Sequence, residues 1–557
     1  MKRKFKRRIR FFFIILVVVA AVVLCFMYKD KFKEEIVVTN FIASNEFTVP
    51  VYDNDYNEVA KLTRGTKVSK YEKVYVKEDK QYEKIEYNGN FYIVNVENLV
   101  DNIEDVVKET ELYVRTSATV YKDGDSSKIL SFVKKGSKVD IIGYSGLLED
   151  GSVTRYKIKS GENSGYVYSK YLVKTEEESI KPYSENIQAF MSNMGNWLGG
   201  GTATELDYYP YEKPKFKDNV MPDEVRAIYI NSGMVKSIDA YIEFAKNSNI
   251  NAFVIDIKDN TSPAYNSPVL KEYSPTNYDH ALNDYEEYKG YIKKAKDAGI
   301  YVIGRITTFK DSYFVNDHPD VAIKDSSGNS FNHNGSFWPT VYNRFVWEFN
   351  VELAKEAIKD VGFNEIQFDY VRFPDRTTTL ENNGVINLNN VYGESKASAL
   401  QAFLMYACDE IHNVGGYVSV DVFGESASSY VTAYGQFWPA ISNIVDVISG
   451  MPYPDHFNPH EYGISEVVWT VPYKLLNAWS KSVVEKQSVI ETPAVVRTWI
   501  QVYNATKEPY VVYDANKVSD EINALYDNGL RGGYMTWNGV SSIDKYYAVA
   551  DAFRREH

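Results

Sequence analysis

Two aspartates lie at matching positions of neighbouring apolar segments. Asp369 is the fifth residue of EIQFDYVRF (365–373), and Asp421 is the fifth residue of YVSVDVFG (417–424). In adjacent parallel strands, about 4.8 Å apart, these carboxyls would come within about 5 to 10 Å of each other. That range suits glycosidic bond cleavage, in which one carboxyl is the nucleophile or base and the other is a general acid whose pKa is raised by burial and by its neighbour. Glu425, four residues after Asp421, is the alternative acid.

Charged, amide and aromatic side chains also lie near the ends of other apolar segments. In an enclosed site they would contact a substrate, and the aromatic rings could stack on sugars. The candidate substrate-binding residues are Asp256, Lys258, Arg305, Trp338, Gln367, Arg372, Tyr453, His456, Arg497, Trp499, Gln501 and Trp537. A buried charge is costly unless it is paired. The alternative interpretation is therefore a self-satisfied ion network of Asp256, Asp369 and Asp421 with Lys258, Arg305 and Arg497, and for Arg372 a surface salt bridge to Asp375.

The residue pattern does not favour metal or acyl-transfer chemistry. His456 and His460 are four residues apart, but Pro459 between them prevents the helix that would bring both imidazoles to one metal. HExxH and GxSxG motifs are absent from the sequence. We therefore predict neither a metal nor another cofactor.

The elements that must position these residues alternate regularly along the last part of the chain. Eight apolar, β-branched segments are predicted strands: 226–231, 252–259, 301–309, 365–373, 417–424, 446–453, 495–501 and 532–539. Amphipathic helices lie between most of them, for example at 346–362 and 395–416, and several end at a glycine. Eight such units predict an α/β fold, a (β/α)8 TIM barrel over residues 225–557, with its site at the carboxyl ends of the strands. A doubly wound open sheet is the alternative, but no GxGxxG follows any strand.

Residues 46–174 contain an internal repeat. Val51-Tyr52 recurs as Val120-Tyr121, and Leu99-Val100 recurs as Leu172-Val173. Both copies have short alternating segments broken by turn residues, which predicts two small all-β barrels at 46–103 and 108–174. The GTKV and GSKV turns and the terminal GYVYSKYLV resemble bacterial Src-homology-like modules. That resemblance implies a cell-wall polymer as partner of residues 46–174, and a simple spacer is the alternative. Residues 175–224 are a predicted linker with some ordered contacts to the next domain.

The N-terminus combines a cationic block with an apolar run. Residues 1–10 hold seven cations and predict a cytoplasmic basic tail, whereas 11–28 are apolar and long enough for a transmembrane anchor. Residues 29–45 would form a stalk, and the rest would be extracellular on a single-pass protein of the cell membrane. A cleaved signal peptide or a lipidated Cys25 is the alternative. The net charge of −13 argues against a nucleic-acid partner, and two cysteines cannot supply a disulfide framework when one lies in this apolar run.

Residues from about 225 to 550 resemble a bacterial family described as a putative glycoside hydrolase domain, which has a TIM-barrel fold related to the α-amylase-like glycosidases. The matching strings are ITTFKD (306–311), AIKDSSGNSF…WP (322–339), FNVELAKEAIKDVGFNEIQFDYVRFP (349–374), VSVDVFG (418–424), RTWIQ (497–501) and GYMTWNG (533–539). The resemblance implies that Asp369 is the nucleophile and Asp421 its partner. The chain departs from the pattern at GMPYPDHF (450–457), where relatives are closer to PMxYPSHY.

Together these observations favour a membrane-anchored extracellular glycoside hydrolase that acts on a cell-wall or capsular polysaccharide. The alternative is a non-catalytic carbohydrate-binding or wall-scaffolding protein that keeps the barrel without its chemistry.

Overall fold

The structure, a computed structural model of the chain, describes residues 15–20, 22–23, 36–161 and 163–557. The chain divides into two compact units. One contains residues up to 126 together with 133–180, and the other contains residues 127–132 and 181–557.

The second unit is built around eight parallel strand positions. Their bounds are Val225–Ile230, Ala252–Asp259, Tyr301–Thr307, Glu365–Asp369, Tyr417–Phe423, Val447–Met451, Val495–Val496 with Thr498–Gln501, and Gly533–Trp537. The first strand pairs with the eighth, so the sheet curls round on itself. The seventh position is split at Arg497, because 495–496 pair with the sixth strand and 498–501 with the eighth. The eight predicted strands are thus present, in a mixed α/β fold with a nearly closed parallel barrel.

Helices alternate with these strands. The longer ones are Ile238–Lys246, Tyr285–Asp297, Arg344–Glu356, Lys396–His412, Pro472–Gln487, Ala515–Asp527 and Ile543–Arg554, with shorter ones at Pro268–Tyr273, Pro275–Asp279, Ser312–Asp317, Thr377–Asn382 and Trp438–Ser442. Several begin at a side chain that accepts backbone hydrogen bonds, such as Asp284 and Ser395. The predicted helix 346–362 is α-helical to Glu356 and then widens into a π-type turn that ends at Gly362, whose φ of +99° needs a glycine.

The barrel interior has an apolar cluster near the start of its strands, together with a buried ion pair. Val225, Ala227, Ala252 and Val254 pack together there with larger side chains. Arg497 lies in this interior, where it forms a fully buried 2.7 Å ion pair with Glu365. The predicted pairing of Arg497 with the aspartates is therefore wrong, because Glu365, the first residue of the fourth strand, provides the carboxylate at its level.

Residues 181–224, the larger part of the predicted linker 175–224, belong to the same compact unit as the barrel. Helix Glu185–Ser192 and the turn Ala203–Glu205 contribute Met191, Ala203 and Leu206 to a buried cluster with Phe437 and other barrel residues. The contacts of this segment with the barrel are thus extensive, because its apolar residues are buried rather than exposed.

Residues 36–173 contain two seven-stranded sheets. The first has the order Glu58–Thr63, Thr48–Tyr52, Asn90–Asn95, Lys80–Tyr87, Lys67–Lys77, Ile36–Ile42 and Leu99–Val100. The second has the order Ile129–Val133, Ala118–Tyr121, Asn163–Tyr168, Val153–Ser160, Lys138–Leu147, Glu111–Val114 and Leu172–Val173. Equivalent strands occupy equivalent places, as an internal repeat requires. The resemblance to Src-homology-like modules stays a prediction.

The predicted stalk, 29–45, lies outside the described residues up to 35, and from residue 36 onward it includes a strand. Residues Ile36–Ile42 form a strand that pairs with Lys67–Lys77, because their β-branched residues complete the first sheet. The predicted basic tail, 1–10, lies outside the described residues, and so does most of the predicted anchor, 11–28, of which 15–20 and 22–23 are helical. Within the part of the chain that the structure describes, none of the helices has both the length and the apolar character needed to cross a membrane.

Candidate active site

A cavity of about 230 Å³ lies at the carboxyl ends of the barrel strands. Eight of the predicted site residues line it: Arg305, Asp369, Arg372, Asp421, Tyr453, His456, Trp499 and Trp537. Phe368 and Val420 are paired across the fourth and fifth strands, and Asp369 and Asp421 are the residues that follow them. The two carboxyls therefore lie at the same depth of the barrel on adjacent strands.

The carboxylate of Asp369 forms an ion pair with Arg305. Arg305 donates from Nε (3.0 Å) and Nη2 (2.7 Å) to Oδ2, while the backbone N–H of Tyr370 donates to Oδ1 at 2.6 Å. Arg305 is also 2.8 Å from Asp256, which accepts a 2.6 Å hydrogen bond from Tyr229. Three donors thus hold Asp369 with one oxygen toward the guanidinium, an arrangement that suits an ionised carboxylate.

Asp421 has a different environment. It is 1% exposed, and its Oδ1 accepts a 2.7 Å hydrogen bond from Trp499 Nε1. Its Oδ2 has no hydrogen-bond partner among the described residues. Burial and the nearby charge of Asp369 raise the pKa of Asp421 well above its usual value, although the Trp499 donor and Arg305 lower it. The arrangement favours a protonated carboxyl, on a residue that lines the cavity and whose Oδ2 has no hydrogen-bond partner among the described residues.

Aromatic rings surround Arg305. The Tyr229 and Trp537 rings are 4.6 Å apart, the Trp499 and Trp537 rings are 5.6 Å apart, and Arg305 lies 5.5 Å from the centre of Trp537. Because these rings exclude water on one side, the interaction of Arg305 with Asp369 is stronger than it would be in solvent. Trp499 and Trp537 also provide flat apolar surfaces at the cavity wall.

Glu425 lies in a second, larger cavity of about 580 Å³. Its carboxyl oxygens accept hydrogen bonds from the hydroxyls of Tyr430 (2.9 Å) and Tyr434 (2.8 Å). Phe423, Met451 and His456 line both cavities, so the two adjoin. Glu425 is therefore next to the aspartate pair, but not in the cavity that contains it.

Two predicted residues of the second strand are outside the lining of both cavities. Asp256 lies beneath Arg305 and anchors it. Lys258 is fully buried, where it bonds Asp311 (2.7 Å) and the Thr307 carbonyl (2.5 Å). The register of the strand shifts between Asp256 and Lys258, so the alternation that predicted both in the site does not continue to Lys258.

Four other predicted residues are also outside the cavity lining. The Gln367 amide is near Ser449 inside the barrel, and Arg497 pairs with Glu365. Gln501 donates to the Tyr503 carbonyl at 3.2 Å. Trp338 is buried behind the cavity wall, with Arg372 5.1 Å above its ring, so it supports the wall without facing the space.

Four lining residues were not predicted: Tyr370, Phe423, Gln436 and Met451. Tyr370 follows the strand in a left-handed conformation (φ +53°), which ends the predicted strand 365–373 at Asp369. Gln436 accepts a hydrogen bond from the Phe423 backbone and donates to the Val371 carbonyl, which fixes the loops on either side. The only sequence signal for these residues is their closeness to strand ends, which they share with many others.

Within the described ranges, no group of three or more His, Cys, Asp or Glu side chains converges as metal ligands would.

Several solved structures of other proteins are similar to this chain. The crystal structure of a hypothetical protein from Ruminiclostridium thermocellum ATCC 27405 is 31% identical over 35% of this chain and 97% of its own, with a TM-score of 0.30. The PgaB (BpsB) glycoside hydrolase domain from Bordetella bronchiseptica is 11% identical, over 59% of this chain and 98% of its own, with a TM-score of 0.43. Alpha-L-fucosidase isoenzyme 2 from Paenibacillus thiaminolyticus is 12% identical, over 59% and 49%, with a TM-score of 0.40. No curated protein matches the sequence.

The barrel also matches a family model described as "Putative glycosyl hydrolase domain", over residues 227–542. The match includes both aspartates and the strands on which they lie, and the family predicted from the sequence is confirmed. Since the model covers more than half of the chain, this protein belongs to that glycosyl hydrolase family.

Proposed function

We propose that this chain cleaves a polysaccharide with Asp421 as general acid and Asp369 as nucleophile or base. The observation that supports the proposal best is the unequal environment of two carboxyls in one cavity. Asp369 accepts two hydrogen bonds from Arg305, whereas Asp421 is buried with Oδ2 unpartnered by any described residue. Glycosidases need such an unequal pair, one carboxyl protonated and one ionised at the same pH.

The unequal environments suggest the roles. As the glycosidic bond breaks, Asp421 would give its proton to the leaving oxygen, since its raised pKa favours the protonated form. Asp369 would attack the anomeric carbon, or activate a water that does so. Arg305 would keep Asp369 ionised and oriented, and Asp256 would anchor Arg305 from below.

Glu425 is the weaker candidate for the acid. Two tyrosine hydroxyls already donate to its oxygens, and it lines the adjoining cavity rather than the one that contains Asp369. In this proposal Glu425 binds sugar hydroxyls in the larger cavity.

The remaining proposals concern location and partners. The apolar run 11–28 and the cationic tail 1–10 support anchoring in the cell membrane with the barrel outside the cell. The repeat 46–174 supports contact with a cell-wall polymer, and the polysaccharide substrate would then be a wall or capsular polymer. Membrane fractionation with protease accessibility tests the first proposal. Sedimentation of residues 36–180 with purified walls tests the second.

The catalytic proposal is tested by incubating the protein from residue 36 onward with peptidoglycan glycan strands, wall teichoic acid, soluble starch, a soluble β-glucan and chitosan. Released reducing ends are the measurement. Asp369→Asn and Asp421→Asn should each lower turnover by about 10²-fold or more, and Glu425→Gln should cost less than about tenfold. Circular dichroism would verify that each variant is folded.

Full activity of Asp369→Asn or Asp421→Asn would refute the assignment of that carboxyl. If Glu425→Gln lowers turnover as much as Asp421→Asn does, the role of general acid belongs to Glu425. Binding of a polysaccharide without any release of reducing ends would favour the alternative, a non-catalytic carbohydrate-binding protein.

A further inference from the structure

The segment before the barrel is bound to a loop that lines both cavities. Gly195 N–H donates to the Ser429 carbonyl at 2.9 Å, and Val431 N–H donates back to the Gly195 carbonyl at 3.0 Å. Five residues later, the Gly200 carbonyl accepts from Ala397 N–H at 2.9 Å. Residues 195–200 are therefore fixed at both ends to the barrel.

Trp197 lies between these anchors with its side chain 68% exposed. Its ring centre is 5.5 Å from that of Tyr430, at an angle of 50°. Tyr430 lines the larger cavity and donates a hydrogen bond to Glu425. The indole is thus next to the rim of that cavity, on a segment whose backbone is held in place.

The two cavities adjoin, and Trp197 contacts a residue of the larger one. The cavity with Asp369 and Asp421 shares Phe423, Met451 and His456 with the larger cavity. Tyr430 lines the larger cavity, and the ring of Trp197 contacts the ring of Tyr430. Burying an indole would stabilise the fold, yet Trp197 is largely exposed to water on a segment whose backbone is held in place. Exposed apolar side chains of this kind often mark binding sites. The flat apolar face of the indole matches the C–H face of a sugar ring.

We propose that Trp197 is an outer subsite that stacks on a sugar of a polymeric substrate, while another part of the same polymer occupies the cavity with Asp369 and Asp421. The inference rests on the proposed function and deepens it, since it makes the substrate a chain of several sugars. Trp197 lies outside the matched region 227–542, so the subsite is supplied by the segment that precedes the barrel.

The test is affinity electrophoresis of the protein from residue 36 onward in gels with each of the five polysaccharides of the activity screen. The wild type, Trp197→Ala, Trp197→Phe and the control Tyr547→Ala are compared. Tyr547 is also an exposed aromatic residue (48%), but it lies on the helix Ile543–Arg554 and lines neither cavity.

We expect at least one polysaccharide to retard the wild type. Covering about half of an indole face is worth about tenfold in affinity, so Trp197→Ala should raise the dissociation constant of that polysaccharide about tenfold. Trp197→Phe should keep most of the affinity, because it keeps a ring, and Tyr547→Ala should bind as the wild type does.

Equal retardation of Trp197→Ala and the wild type would overturn the inference, and so would a wild type that no polysaccharide retards. Failure of the catalytic proposal gives a different result: a retarded wild type, weakened by Trp197→Ala, that releases no reducing ends.

Discussion

Replacing Trp499 by phenylalanine should extend the activity of this protein to higher pH. The indole N–H donates a 2.7 Å hydrogen bond to Oδ1 of Asp421, and this bond lowers the pKa of Asp421 against the larger effects of burial and of Asp369. In the proposed mechanism Asp421 acts as an acid only while it is protonated, so activity should fall as the pH rises through its pKa. Losing the donor destabilises the carboxylate, raises that pKa, and moves the fall to higher pH.

The size of this shift follows from the bond. A hydrogen bond to a charged group contributes about 1.5 to 3 kcal/mol, and about 1.4 kcal/mol corresponds to one pH unit. The other influences on Asp421 stay in place. We therefore expect the basic limb of the kcat/KM profile to move up by about one pH unit or more in Trp499→Phe.

The assay is release of reducing ends across the pH range, with substrate well below KM, so that the profile reports the free enzyme. The matched control is Trp537→Phe. It also removes an indole from the cavity wall, but it keeps the bond between Trp499 and Asp421. Both variants can lower the rate through lost packing, whereas only Trp499→Phe should displace the limb. A limb that stays in place, moves to lower pH, or moves equally in Trp537→Phe would refute the reasoning.

Three further predictions concern stability, and tryptophan fluorescence in urea can follow all of them, because all eight tryptophans lie in the barrel unit. Arg305→Met leaves Asp369 and Asp256 without their buried cation and should lower the free energy of unfolding by about 3 to 5 kcal/mol. Burial raises the pKa of Asp256 to about 6, above that of an unfolded aspartate, so the folded state holds this proton more tightly than the unfolded state does. The stabilisation is complete below the pKa of unfolded aspartate and is lost as the pH rises through 6, so the free energy of unfolding should fall by up to about 3 kcal/mol between pH 4 and 6. In Asp256→Asn this part of the fall should be absent. Gly200→Ala would place a Cβ 1.9 Å from the Thr432 carbonyl oxygen and should cost about 1 to 3 kcal/mol.

Each of these predictions has its control. Arg305→Lys keeps a cation, so it should lose less stability than Arg305→Met, and equal losses would contradict the ion-pair argument. A pH dependence unchanged in Asp256→Asn would show that Asp256 does not titrate in this range. Gly233→Ala also replaces a glycine outside the positive-φ region, but its Cβ would meet only Asn231 Oδ1 at 3.6 Å, an ordinary contact, so it measures the backbone cost alone. If Gly200→Ala costs no more than Gly233→Ala, the close approach at Thr432 is not limiting.

Sequence reasoning predicted much of the barrel because its signals are local. Eight β-branched segments indicate the strands, and glycines indicate where several of the intervening helices end. Both signals can be read without knowing the tertiary contacts. The matching positions of Asp369 and Asp421 then followed from the geometry of parallel strands. The cavity has both carboxyls in its wall, as that geometry requires.

Loop residues were less predictable. Tyr370 adopts a left-handed conformation that no neighbouring residue type demands, and Gln436 reaches the cavity from a loop fixed by its own hydrogen bonds to two other loops. The register shift before Lys258 could not be predicted either, because the alternation of side chains along this apolar segment continues through it in the sequence. In each case the conformation depends on contacts between residues far apart in the chain.

The sequence by itself determined the strands, the family and the adjacency of two acidic side chains, because hydrophobic periodicity and strand spacing are properties of short segments. Only the tertiary structure decided how the charges pair. In that structure Arg305 pairs with Asp369 and Asp256, and Arg497 pairs with Glu365. One oxygen of Asp421 has no hydrogen-bond partner among the described residues. The physical reason is that a buried charge takes whichever counter-charge the packed barrel brings within hydrogen-bonding distance, and that distance is set by the closure of the whole sheet.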